Sequence, residues 1–179
     1  MKTKRYNPIR LKLSQMFVGE HDDAKRVVVP CALQRAKSVG LLFAVASDAD
    51  MADASLVFNQ MRNVNANVQA LGYVVNRKEL PKYQQQSYFQ LITDNDFDFL
   101  LRPKGAMATN FAKSQFDVLV DLNSAGYYPL RQMLYNSGAR FRVGRYSDNQ
   151  PFDLMISIGD DRDAKYYFEQ ILFYLQKFN

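Results

Sequence analysis

The segment from Phe116 to Arg145, FDVLVDLNSAGYYPLRQMLYNSGARFRVGR, constrains the fold more than any other part of the chain. It opens with an apolar run ending in an acid, continues through a polar loop, and enters an amphipathic stretch at Pro129. Ser137-Gly138 then supplies a stop signal before a second β-prone run from Arg140 to Gly144. Strand, loop, helix and strand in that order make a parallel βαβ step, because a helical crossover returns the chain in its starting direction. In open sheets of this kind ligands bind beyond the carboxyl ends of the strands, where this segment carries Asp121, Asn123 and Ser124.

The rest of the chain repeats the alternation. Val39 to Ala46, VGLLFAVA, is apolar throughout and predicts a central strand buried on both faces. Asp48 and Asp50 suit the start of a helix over Met51 to Val64, with Leu56, Val57, Met61 and Val64 on one face. Asn67 to Val75 predicts the next strand, followed by a loop at Asn76 to Pro81. A short strand is expected near Tyr88 to Ile92 and a helix over Met107 to Gln115, leading into the strand Asp117 to Leu122. Asp153 to Ile158 reads as the last strand, and Asp163 to Phe178 as a closing helix with Tyr167, Ile171, Tyr174, Leu175 and Phe178 along one face. The pattern predicts an α/β fold, a three-layer Rossmann-like domain with a mostly parallel sheet and helices on both faces. With 179 residues the chain suits one such domain, expected over residues 38–179 after a basic N-terminal segment, partly helical or mobile, at 1–37.

The formal charge of +5 is unevenly spread. Residues 1–40 hold nine Lys or Arg against three acids, and the remainder holds fourteen against fifteen. The basic excess therefore belongs to the N-terminal arm, which opens MKTKRYNPIRLK. Such an arm can meet RNA phosphates or an anionic membrane surface, but it carries no RNA-binding signature, and nucleic acid is not the expected partner. The arm lacks the apolar core of a secretory signal, and no window approaches the ~20 apolar residues that span a bilayer, so a cytoplasmic address is expected. The single cysteine, Cys31, fits a reducing compartment.

Residue counts exclude several chemistries. One histidine, His21, and one cysteine build neither a zinc nor a His-rich metal cage within a single chain. Cys31 has no local base to activate it and reads as a structural thiol. No Gly-x-Ser-x-Gly, Walker A or Gly-x-Gly-x-x-Gly motif occurs, and the turn after the first strand reads SDAD, whose acids would repel a phosphate. Asp94, Asp96 and Asp98 alternate as in a calcium loop, but Phe99 and Gly105 stand where glycine and glutamate are needed, so a solvated acidic loop is expected. Asp160, Asp161 and Asp163 suit the N-terminus of the last helix. The pairs Tyr127-Tyr128 and Tyr166-Tyr167 offer stacking surfaces, but such pairs usually divide between core and rim.

There remains a rim of ligand-binding candidates, Ser47, Asp121, Asn123, Ser124 and Arg145, each at the carboxyl end of an expected strand. Asp121 can accept from a hydroxyl or act as a base, and Arg145 can hold a phosphate or carboxylate bidentately. The structural alternative is that Asp121 and Arg145 pair with each other or with backbone. Which residue, if any, is catalytic is left open by these residues, and no metal or cofactor is expected from them.

The runs AKSVGLLF at 36–43, ALGYV at 70–74, FDVLVDL at 116–122, ARFRVGR at 139–145 and FDLMI at 152–156 together resemble a family of small bacterial domains without assigned function. More distantly, FDVLVDLNS followed by a helix and ARFRVGR is similar to the acceptor-side half of lipopolysaccharide heptosyltransferases, which have two Rossmann-like domains of the GT-B type. That likeness spans about thirty residues, and the chain has no room for the second, donor-binding domain. The expected function is a non-catalytic ligand-binding or protein-interaction module. The heptosyltransferase resemblance implies an alternative, a glycosyltransferase-like half that takes a nucleotide-sugar ligand with a partner chain or as a homodimer. A second alternative makes the basic arm an adaptor for RNA or a membrane surface.

Overall fold

The structure, a computed structural model, describes residues 7, 9, 12–13, 26–65, 67–86, 89–123, 126–147, 151–159 and 163–178. His21, Ser124, Asp160, Asp161 and most of the basic arm lie outside the described residues. The elements run β1 (Val39–Val45), α1 (Asp48–Val64), β2 (Val68–Val74), α2 (Leu80–Gln86), β3 (Gln90–Ile92), α3 (Ala106–Lys113), β4 (Val118–Asp121), α4 (Tyr128–Asn136), β5 (Arg142–Arg145), β6 (Leu154–Ile156) and α5 (Ala164–Leu175).

The six strands form one sheet in the order β3-β2-β1-β4-β5-β6, and each neighbouring pair is parallel. This is a doubly wound, Rossmann-like order, with the direction of winding reversing between β1 and β4. Alternate residues of the central strands feed two cores. Leu41, Phe43 and Val45 of β1 and Val118 and Val120 of β4 face Met51, Ala54, Val57, Phe58 and Met61 of α1 and Tyr167, Phe168, Ile171 and Leu175 of α5. Leu42 of β1 and Leu119 of β4 face Ala108, Phe111 and Ala112 of α3 and Leu130, Met133 and Leu134 of α4. Helices thus cover both faces, and each large apolar side chain buried this way contributes about 1.5–3 kcal/mol.

Several local expectations change. On α1, Phe58 is buried and Leu56 is exposed, because helix packing on a twisted sheet selects the stripe through Met51, Val57, Phe58 and Met61. Tyr174 of α5 is likewise exposed. Asn76 to Pro81 is no plain loop: Asn76 accepts from the Lys78 N–H over a 3-10 turn, and α2 begins at Leu80. Pro81 in a first helical turn loses no hydrogen bond, since that N–H has no partner there anyway.

The acidic run is ordered rather than solvated. Thr93 and Asp96 form a capping box, Tyr73 donates to Asp94, and Asp98 pairs with Arg102 at 2.7 Å. Residues 26–37 contain no helix, and from Arg26 onward they pack on the sheet. Arg26 bonds Asp153 through both terminal nitrogens, and Leu33 and Ala36 lie in the core.

Parallel strands normally need a crossover of a dozen or more residues. Only eight residues, 146–153, join β5 to β6, short of that length, and α5 follows β6 instead. The Phe152 ring takes over the covering role, lying where a Cβ on Gly144 would stand. That arrangement leaves an opening beside α4.

Candidate functional site

The opening is a cavity of about 90 Å³ at the carboxyl ends of β4 and β5, lined among others by Asp121, Asn123, Tyr127, Arg131, Arg145 and Phe152. It lies one strand beyond the reversal point between β1 and β4. Asp121, the last residue of β4, follows the inward-facing Val120 and so turns toward α4. Two residues later the chain folds back on it. The Asn123 N–H donates to Asp121 Oδ1 at 3.0 Å, and the Asn123 side-chain amide donates to the same oxygen. This is a side-chain turn of the kind Asp favours, and it fixes the carboxyl at the mouth of the strand.

Asp121 is 7% exposed, and burial raises its pKa to about 7 against the lowering effect of the Asn123 hydrogen bonds and the charge of Arg145. Its Oδ2 has no hydrogen-bond partner among the described residues. Arg145 is the last residue of β5 and points to the opposite face of the sheet from Gly144. Its guanidinium carbon stands 4.6 Å from the centroid of the Tyr167 ring, a cation–π contact. Arg145 Nε is buried without a hydrogen-bond partner, and the guanidinium makes no ion pair with a described residue. The Tyr167 phenol is held neutral well above its usual range, first by burial and then by Asp121.

The wall of the cavity is the first turn of α4. Tyr127 is its N-cap but supplies no side-chain hydrogen bond, and Pro129 sits in the opening turn. Arg131, one turn on, donates to the Tyr135 hydroxyl at 3.3 Å and lies over that ring.

Of the candidates named from sequence, Asp121, Asn123 and Arg145 meet in this cavity. Ser124 is next in the chain after Asn123 but lies outside the described residues. Ser47 is elsewhere: it caps α1, accepting from the Asp50 N–H at 3.3 Å and donating to Asp50 Oδ2 at 3.0 Å. Asp121 and Arg145 form no ion pair with each other, although they share the cavity. The tyrosine pairs divide between core and rim, with Tyr127 and Tyr167 buried and Tyr166 exposed.

Arg131, Leu130, Tyr146 and Phe152 also line the cavity and were not among the sequence candidates. Leu130 and Arg131 carried a signal, since the turn after Pro129 must face whatever the β4 loop faces. Phe152 carried none, because its place depends on the short β5–β6 connection. Among the described residues no group of three or more His, Cys, Asp or Glu is arranged to hold a metal. No described helix is long and apolar enough to cross a membrane.

A sequence profile for a family of unknown function, DUF6913, matches residues 13–178. The chain belongs to the DUF6913 family. The match spans the whole sheet and its helices, so the DUF6913 domain of this chain is the Rossmann-like α/β unit described above. Neither a curated protein nor a solved structure matches this DUF6913 chain.

Proposed function

We propose that this DUF6913 chain is a small-molecule binding module acting through the cavity at the ends of β4 and β5. Asp121, Asn123 and Arg145 are its ligand-contacting residues, with Ser124 a further contact from the same loop. Ser47 is left out because its hydroxyl is engaged at the α1 cap. The observation that carries the reading is that Asp121 and Arg145 line one cavity while neither neutralises the other. A purely structural acid and base lining one cavity would be expected to close on each other or on backbone, since a buried charge without a partner is costly. Asn123 holds the Asp121 carboxyl, the Tyr167 ring underlies the Arg145 guanidinium, and both residues line the cavity, which supports reading it as a preformed polar site.

A glycosyltransferase-like half, working with a partner chain or as a homodimer, is a second reading of the same cavity. The observation that favours it is the Asp121 pKa of about 7, since a general base works best near the pH at which it operates. Nucleotide sugars distinguish the two readings, because only the second has them bind and turn over.

Thermal-shift screening with a charge-diverse metabolite set tests the binding reading. At least one compound should raise the melting temperature of the wild-type protein, and the shift should shrink in both Asp121→Ala and Arg145→Met. Stabilisation that survives both substitutions would put the binding site elsewhere.

A further inference from the structure

We infer that the cavity binds the head group of a free amino acid, its carboxylate on Arg145 and its ammonium on Asp121, and that the amino acid has an apolar or aromatic side chain. The inference rests on reading this cavity as a ligand site and goes further by fixing the two charges its occupant carries.

The cation comes first. Arg131 and Arg145 both line the cavity, but Arg131 already donates to the Tyr135 hydroxyl and lies over that ring. Arg145 rests on the Tyr167 ring and makes no hydrogen bond or ion pair with a described residue. A ring beneath a guanidinium consumes none of its N–H donors, which are left for an acceptor. One available guanidinium matches one carboxylate, which it can hold bidentately.

The acid is the complementary half. Asn123 donates twice to Asp121 Oδ1, through its backbone N–H and its side-chain amide, and Oδ2 has no partner among the described residues. Burial raises the Asp121 pKa to about 7, while the Asn123 bonds and the Arg145 charge work against it. Those bonds favour the carboxylate, so what the buried group lacks is a cationic donor at Oδ2. An ammonium supplies one through a charge-assisted hydrogen bond, roughly twice as strong as a neutral one. The ionisable groups around Asp121 are Arg145 from β5, Tyr167 from α5, and Tyr127 and Arg131 at the start of α4. No lysine or histidine among the described lining residues fills the role.

Both charges belong on one compact head group. Val120 pairs with Val143 across β4 and β5, which sets Asp121 opposite Gly144 and one residue from Arg145. The two anchors therefore spring from neighbouring strands, about 4.8 Å apart, and line the same cavity. A zwitterion adds no net charge of its own, so the occupied cavity stays balanced once Asp121 ionises. The rest of the wall includes Tyr127, Leu130 and Phe152, which offer rings and an aliphatic surface. No second acid lines the cavity among the described residues to receive a basic side chain.

Calorimetric titration of the full chain with L-phenylalanine, L-leucine, L-glutamate, phenyllactate and phenethylamine tests this. Phenyllactate carries a hydroxyl in place of the ammonium, and phenethylamine lacks the carboxylate. L-phenylalanine or L-leucine should bind, and the other three compounds should bind at least about tenfold more weakly than the better of the two. Arg145→Met and Asp121→Asn should each weaken that binding about tenfold or more. Because the ammonium holds Asp121 as the carboxylate, binding releases a proton below pH 7, and affinity should rise from pH 5 to pH 7 by up to about tenfold per pH unit. Asp121→Asn should remove that rise. Phenyllactate binding as tightly as L-phenylalanine, or an affinity that does not rise with pH, would overturn the ammonium contact. Phenethylamine binding as tightly would overturn the carboxylate contact, and L-glutamate binding as tightly would overturn the apolar side chain. No binding of any amino acid, with another compound from the wider screen depending on Asp121 and Arg145, would overturn the whole inference and leave the cavity a ligand site. If no compound binds in a manner that depends on Asp121 or Arg145, both readings fall.

Discussion

The phenol of Tyr167 donates to the main-chain carbonyl of Asp121 at 3.2 Å, tying the first turn of the final helix to the last residue of β4. The same ring carries the Arg145 guanidinium on its face. One buried aromatic residue therefore positions both polar members of the cavity, one through its hydroxyl and the other through its π-system. Removing the hydroxyl alone, in Tyr167→Phe, should cost about 1 kcal/mol, the net value of a neutral hydrogen bond, while leaving the ring under Arg145. Tyr167→Ala should cost about 3–5 kcal/mol because it also opens a hole in the core. Urea denaturation of the two variants measures both. Equal losses would mean that the ring contributes nothing beyond its hydroxyl.

Asp121 gives a stability signature of its own. Its folded-state pKa, about 7, lies above that of an exposed aspartate, so between about pH 4 and pH 7 the folded protein retains a proton the unfolded chain has released. Stability linked to this group is therefore complete below pH 4, declines as pH rises through that window, and changes no further above it. The decline is at most about 4 kcal/mol. Asp121→Asn carries no charge in either state and should lack this component. Denaturation midpoints from pH 4 to pH 8 should show the variant gaining on the wild type up to about pH 7 and then running parallel to it. A constant difference across the range would mean that Asp121 titrates as an ordinary surface acid.

The parts of this architecture legible in the sequence are those for which one local reading exists. VGLLFAVA can be little else than a doubly buried strand, and β1 is the third of six strands, between β2 and β4. Asp121, Asn123 and Arg145 were visible as candidates because strand ends in a parallel sheet share an edge whatever the loops do. Arg142 was not legible. A charged residue three positions before Arg145 reads as solvated, yet it is 1% exposed and donates to the Ser137 carbonyl at 2.8 Å, where α4 ends. Ser47 lies apart from the cavity, its hydroxyl engaged with Asp50 at the α1 cap. Phe152 needed the tertiary fold, since only the short β5–β6 connection brings it over Gly144.

That contact is itself testable. A Cβ at position 144 would overlap the Phe152 ring, so Gly144→Ala should cost about 1–3 kcal/mol through overpacking. Pairing it with Phe152→Leu should return part of the loss, because the smaller side chain vacates the space. A double-mutant cycle by chemical denaturation reads the coupling directly. Strictly additive losses would show that the glycine is needed for a reason other than the ring.

Arg145 and Arg142 lie on the same short strand and make opposite predictions. Arg142 is fully buried and serves the fold, bonding the carbonyl at the end of α4. Arg142→Met removes that donor from a buried acceptor and should cost about 1–3 kcal/mol. Arg145 has a buried Nε without a partner and no ion pair with a described residue, so its charge contributes little to folding. Met at that position keeps an apolar stem over the Tyr167 ring, where a thioether packs well. Arg145→Met should therefore leave the stability of the ligand-free protein within about 0.5 kcal/mol of wild type, or raise it, as often happens when a residue held for binding is replaced. Thermal and chemical denaturation of the two variants side by side separate the roles. A loss in Arg145→Met matching that in Arg142→Met would make both arginines structural and remove Arg145 as a group held for a ligand.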